Sequence, residues 1–279
     1  MPAARALAAA SALAVALSTS APFPAAAADE GPCRIKWDPR QYLLITGVGG
    51  ALWLGNEFAK ETFAPEACRF CGTNALDARA RRLLLWSDVQ AARRASDVLA
   101  YGLLPGAIAA HQILAARGAG GTMNDGLVDF LVVAEAVVLA ADLTHLVKYA
   151  VGRQRPYAHY GNWAGANRAP AADDNLSFYS GHASVAFSLA AAAGTVSSLR
   201  GYRSTPWVWA SGLTIATGVA YLRVAGDKHY LTDVLTGAAI GTAFGIAVPR
   251  LLHGREDKQG RPTAQVSLLA IPLGLHVVW

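Results

Sequence analysis

The sequence predicts an all-α fold: a compact bundle of about six apolar helices, read as membrane-embedded, with an active site at one end of the bundle. Three observations carry that expectation. Of 279 residues, 53% are hydrophobic and only 15% are charged, against roughly 25% charged in an ordinary soluble domain. Six apolar segments, each longer than a strand, make up most of the chain after its first residues. Their alanine and glycine content lets helices approach closely. The hydrophobicity excludes a disordered chain. The +5 net charge, from 24 basic and 19 acidic side chains, is modest and predicts no nucleic-acid partner, only a basic pocket or membrane-facing loops.

Residues 1–28 have the order of a secretory signal peptide: Arg5, an apolar run from Ala6 to Leu17, then Pro22, Pro24 and an alanine tract ending at Ala28. Export to a compartment that permits disulfides follows from it. Residues 29–97 are expected to hold one helix, Tyr42 to Phe58, and an Arg-rich loop from Lys60 to Asp97 containing Cys68 and Cys71. With Cys33 as the one other thiol, a four-cysteine zinc site cannot be assembled, and a structural disulfide from Cys33 to one of the pair is expected.

Residues 98–255 are expected to form the helical core, from segments Val98 to Ala116, Leu127 to Val147, Ala183 to Leu199, Trp207 to Leu222 and Val234 to Leu252. A Gly-rich turn at Gly118 to Gly121 and a polar loop from Tyr157 to Ser177 connect them. Residues 256–279 form a C-terminal extension, in which Gln265 to Trp279 suggests two short strands. About 20 apolar residues cross a bilayer, and the charge-free stretches between Arg40 and Glu57 and between Asp233 and Arg250 fall short of that. The third segment carries Asp129, Glu135 and Asp142, each costing about 3 kcal/mol in lipid unless turned inward.

Three clusters fall at predicted helix ends. Lys148, Gly152 and Arg155 are spaced i, i+4, i+7, two cations on one helical face with a residue lacking a side chain between them, and Pro156 fixes the end. Ser180 is a good N-cap, leaving the amides of Gly181 and His182 free for an anion. His182 can donate a proton to a leaving oxygen. Arg223 leads into His229 and Asp233, an i, i+4 pair in which the carboxylate is expected to accept from one ring nitrogen and free the other to attack. An antiparallel bundle brings all three clusters to one side. Asp142 and His145 share a face with Lys148 and are expected to satisfy structural roles within the bundle.

Lys-x6-Arg-Pro, Ser-Gly-His and Arg-x5-His-x3-Asp, in that order, resemble the motifs of the type 2 phosphatidic acid phosphatase superfamily, which also contains bacterial acid phosphatases and vanadium haloperoxidases. The resemblance covers roughly Leu127 to Leu252. Tyr179 stands where a proline is common before Ser-Gly-His, and Leu222 where a serine often precedes the arginine. The resemblance implies a phosphatase for phosphomonoesters or pyrophosphates, most of all of lipid phosphates. His229 would attack phosphorus to give a phosphohistidine, held by Asp233, while His182 protonates the departing alcohol. Lys148, Arg155, Ser180, the Gly181 amide and Arg223 would neutralise the phosphoryl oxygens. No metal and no cofactor are expected.

Other readings stay open at this point: a soluble periplasmic nonspecific acid phosphatase, a vanadium haloperoxidase, and a non-catalytic membrane scaffold. An exported N-terminus followed by six full spans would put the site in the cytoplasm. A first segment that does not cross, or a soluble or peripheral bundle, would leave it facing the periplasm, which is the expectation adopted.

Overall fold

The structure, a computed structural model, describes residues 31–162 and 172–256. The expected signal peptide and C-terminal strands lie outside the described residues, as does part of the polar loop. All regular elements among the described residues are helical. The six apolar segments correspond to α1 (Pro39–Phe58), α4 (Leu104–Gly118), α5 (Met123–Val151), α6 (Gly181–Arg200), α7 (Thr205–Ala225) and α8 (Leu231–Leu252), with α2 (Ala75–Leu84) and α3 (Val89–Val98) lying between α1 and α4.

The region from Lys60 to Asp97 is therefore not the expected loop. It contains one helical turn at Lys60–Phe63, then α2 and α3, each ten residues long and capped by a side chain: Asn74 accepts from the Asp77 amide and Asp88 from the Ala91 amide. One arginine on each faces the rest of the bundle, while Arg79, Arg82 and Arg94 are exposed. Arg81 pairs with Asp227 through two 2.7 Å bonds, and Arg93 donates to the Gly226 carbonyl at 2.7 Å. Short polar helices of this kind lack the apolar length by which the others are legible. The α3 helix continues through a π-helical turn, Leu99–Leu103, directly into α4.

Helix α6 is the axis of the bundle, with nearly every side chain buried and α5, α7 and α8 packed around it. Close approach of α8 is set by a stripe of glycines. A Cβ added at Gly237, Gly241 or Gly245 would lie 2.5, 2.2 and 2.7 Å from the carbonyl oxygens of Ser180, Ser184 and Ser188. Small residues four apart thus hold the start of α8 against the start of α6.

The charges on α5 are turned inward. Asp129 accepts from Arg200 and from the Tyr202 hydroxyl, both at 2.6 Å, and Glu135 meets His253 at 2.8 Å. His145 bonds Glu57 of α1 at 3.0 Å rather than its neighbour Asp142. Helix α1 packs along the second half of α5, from the level of Glu135 to Tyr149. Near its start, Trp37 packs on His253 and the Lys36 amide donates to Gly254; at its end, Asn56 and Glu57 meet Tyr149 and His145. Its outer face exposes Leu43, Leu44, Val48 and Leu52. Four helical stretches, Val89–Gly118, Gly181–Arg200, Thr205–Ala225 and Leu231–Leu252, are long and apolar enough to cross a membrane.

The disulfide also differs from expectation. Cys68 bonds Cys71, and Cys33 is a free thiol. The physical reason is distance along the bundle: the Cys33 amide donates to Arg200 at the far end of α6, about 30 Å from its start at 1.5 Å per residue, whereas the Cys68–Cys71 loop lies beside Gly152 at the other end.

Candidate active site

The ends of α5 and α7 and the starts of α6 and α8 meet at one end of the bundle and bring the three sequence clusters together. Ser180 caps α6, its hydroxyl accepting from the Ala183 amide at 3.4 Å, and its own amide donates to the Asp233 carbonyl at 3.1 Å. Lys148 is buried below this cap: a Cβ at Gly181 would sit 3.6 Å from its Nζ. The loop from α7 to α8 carries Lys228 and His229.

Arg155 does not continue a face shared with Lys148 and Gly152. Helix α5 ends at Val151, and Gly152 takes the left-handed conformation of a C-cap, φ 59°. A Cβ there would meet Pro65 and Arg69 at 3.2 and 3.3 Å rather than the cations. The glycine clears space for the disulfide loop. The Arg69 amide donates to the Gly152 carbonyl at 2.9 Å, the Gln154 amide donates to Phe70 at 3.0 Å, and the Arg69 guanidinium caps the Ala150 carbonyl at 2.6 Å. Beyond this clamp the chain is extended at Arg155 ahead of Pro156.

Arg155 is buried and fully engaged. It donates to the Asp173 carbonyl and carboxylate at 2.7 and 2.9 Å, to the Lys228 carbonyl at 3.1 Å, and to Nε2 of His229 at 3.1 Å. His229, 2% exposed, donates from Nδ1 to the Ser177 carbonyl at 2.8 Å. These two contacts select one tautomer, with the proton on Nδ1 and the lone pair on Nε2 directed toward the cations. Burial, reinforced by Arg155, Arg223 and Lys148, pushes the His229 pKa well below its ordinary value, so the ring is neutral at pH 7.

Asp233 does not take the direct hydrogen bond expected from the i, i+4 spacing; its Oδ2 lies 3.7 Å from Nδ1. The carboxylate accepts from Arg153 at 2.5 Å, from the Ser177 hydroxyl at 2.6 Å and from the Tyr230 amide at 2.9 Å. It therefore orients His229 through Ser177, whose hydroxyl it holds and whose carbonyl holds the ring. Arg153 in turn bridges to Asp77 of α2 at 2.8 Å, and Asp77 accepts from the Thr232 amide and hydroxyl at 2.9 and 2.7 Å. Sequence reasoning missed Arg153 and Asp77. The aspartate follows Asn74 at capping distance, so it reads as part of a helix cap.

His182 is held from outside the three clusters. Its Nε2 lies 2.7 Å from Asp97 and its Nδ1 3.4 Å from the Tyr101 hydroxyl. Arg223 donates to Ser96 at 2.9 Å and to the same Asp97 oxygen at 3.2 Å, while its buried Nε has no partner among the described residues. Asp97 lies just ahead of the π-helical turn and Tyr101 within it, and this distortion brings both to the histidine. On the opposite flank, Asp173 is kept well below the carboxylate range despite burial, because Arg155 and Lys148 favour its charged form. Lys228, 3.8 Å from Asp173, is lowered by burial and by Arg155 to a pKa of about 7.

Three buried cations, a lone-pair nitrogen and a second histidine at a helix N-terminus converge here, a set with the charge and donors that suit a bound anion. Residues 129–257 match the model of the PAP2 superfamily. Over 109 residues the chain is 30% identical to a lipid A 1-phosphatase of Porphyromonas gingivalis, a stretch that covers 39% of this chain and 20% of that relative. The chain thus spans about a fifth of the length of the curated relative it matches. No solved structure matches it.

Proposed function

We propose that the chain is a phosphatase acting on lipid phosphates through a phosphohistidine on His229, without a metal ion. The observation that carries this reading is the hydrogen-bonding of His229: a buried, neutral ring whose Nε2 lone pair faces Arg155. Nε2 attacks phosphorus while the bond to the leaving alcohol breaks, and His182 gives that oxygen its proton. Water then attacks the phosphohistidine, His182 takes its proton back, and inorganic phosphate leaves. Lys148, Arg155, Arg223, the Ser180 hydroxyl and the Gly181 amide neutralise the equatorial oxygens throughout, a role that needs position and charge rather than a Lewis acid.

The lipid substrate is supported by the apolar helices around the site and by the similarity to a lipid A 1-phosphatase. The bundle sits in the membrane with the site facing the periplasm. Purified full-length protein in detergent should release phosphate from lipid A or phosphatidic acid. After alkaline quench it should carry radiolabelled phosphate from a labelled substrate, and His229→Ala should do neither. Label retained by His229→Ala would sink the phosphohistidine; vanadate-dependent bromination without phosphate release would replace the reading with a haloperoxidase. In a Cys33→Ser background, Tyr160→Cys, which is 40% exposed beside the site, should react with an impermeant thiol reagent in intact cells. Labelling only after lysis would reverse the orientation.

A further inference from the structure

We infer that Asp97 is an internal anion that occupies the pocket when no substrate is bound and competes with the phosphoryl group for His182 and Arg223. The inference rests on the phosphatase reading above. One carboxylate oxygen of Asp97 lies 2.7 Å from His182 Nε2 and 3.2 Å from an Arg223 nitrogen. Those are the two groups that substrate needs, one to protonate the leaving oxygen and one to neutralise the phosphoryl charge. The carboxylate satisfies both with one atom, and does so from outside the helices that build the rest of the site.

Its setting marks it as removable. The Asp97 side chain is 55% exposed, while those of Arg223 and His182 are 6% and 18% exposed. Solvent can therefore receive the carboxylate but cannot reach the arginine. Among the described residues the buried Nε of Arg223 has no partner, so Asp97 covers only part of what a phosphate would. A phosphoryl group and Asp97 bound at once would place like charges side by side, which is disfavoured in a partly desolvated pocket. Asp97 stands just ahead of the π-helical turn at Leu99–Leu103, and Tyr101 on that turn contacts the other nitrogen of the same ring. Substrate binding thus exchanges one anion for another.

The test is the affinity for inorganic phosphate, read as competitive inhibition of phosphate-ester hydrolysis and as binding by calorimetry. Asp97→Asn keeps the size of the side chain and removes its charge; Asp97→Ala removes both. Each should bind inorganic phosphate about tenfold more tightly than wild type, with KM lowered in proportion, a change of about 1.4 kcal/mol. Asp97→Glu, which keeps the charge, should not. Weaker or unchanged phosphate binding in both neutral variants, with wild type binding normally, overturns the inference and leaves the phosphatase reading intact. A fall in kcat alone would make Asp97 a positioning residue for His182 instead. Phosphate binding by none of the proteins overturns the anion site itself.

Discussion

His229 and His182 serve the same pocket and are held in opposite ways. The His229 side chain is 1% exposed and is fixed by atoms within the matched segment, the Ser177 carbonyl and Arg155, with Asp233 and Arg153 behind them. The His182 side chain is 18% exposed and is held by Asp97 and Tyr101, both outside the PAP2 match. In the proposed mechanism the nucleophile, His229, is held to stay still, whereas the acid, His182, is held so that it can change partners. A nucleophile must keep its tautomer and aim through two chemical steps; an acid that also acts as base must exchange protons with species that come and go.

If that contrast is sound, His229→Ala should have the largest effect, a loss of at least about 10³-fold in kcat with every substrate. A loss at His182 that is just as large with an aryl phosphate as with an alkyl one would erase the distinction. Arg153→Met comes next. It leaves Asp77 and Asp233 as buried charges without their cation, so thermal or denaturant unfolding should show a loss of about 3–5 kcal/mol. Full stability in this variant would mean that the wall behind His229 is not rigid for the reason given. His182→Ala should cost about 10² to 10⁴-fold on an alkyl phosphate, and much less on an aryl phosphate whose leaving group needs no proton.

The smallest effect concerns pH. The pKa of Lys228, lowered to about 7, makes it a cation below that pH and neutral above it. Phosphate inhibition should therefore weaken by about threefold between pH 6 and 8 beyond the change caused by phosphate's own titration. Lys228→Met should diminish that increment. An identical pH dependence in both proteins would remove Lys228 from the anion site.

The sequence and the structure agree where information is local. The residues Lys148, Arg155, Ser180, Gly181, His182, Arg223, His229 and Asp233 fall in three short segments, and the six apolar helices are legible because each has a continuous apolar length. What escapes reading are partners far away in the chain. Asp77 meets Thr232 and Arg153 across 155 and 76 positions, and Asp97 meets His182 across 85. Each is a single acidic residue on a short polar helix, where acids commonly face solvent. The spacing of His229 and Asp233 was informative about proximity and misleading about bonding, because a helix start leaves room for Ser177 to come between them. Gly152 was legible as a glycine that must be there, though its reason is the left-handed cap and the disulfide loop.

Helix α1 has a consequence for topology. It accompanies α5 from Trp37 beside His253 to Glu57 beside His145, and the site lies at the second of these ends. In an embedded bundle, Pro39 and His229 are then on opposite faces of the membrane, whichever face each occupies. A periplasmic site requires Pro39 to remain on the inner face, and an exported Pro39 requires a cytoplasmic site. The thiol-labelling experiment at position 160 thus reads the fate of the chain ahead of α1 as well as the side from which a lipid headgroup must arrive.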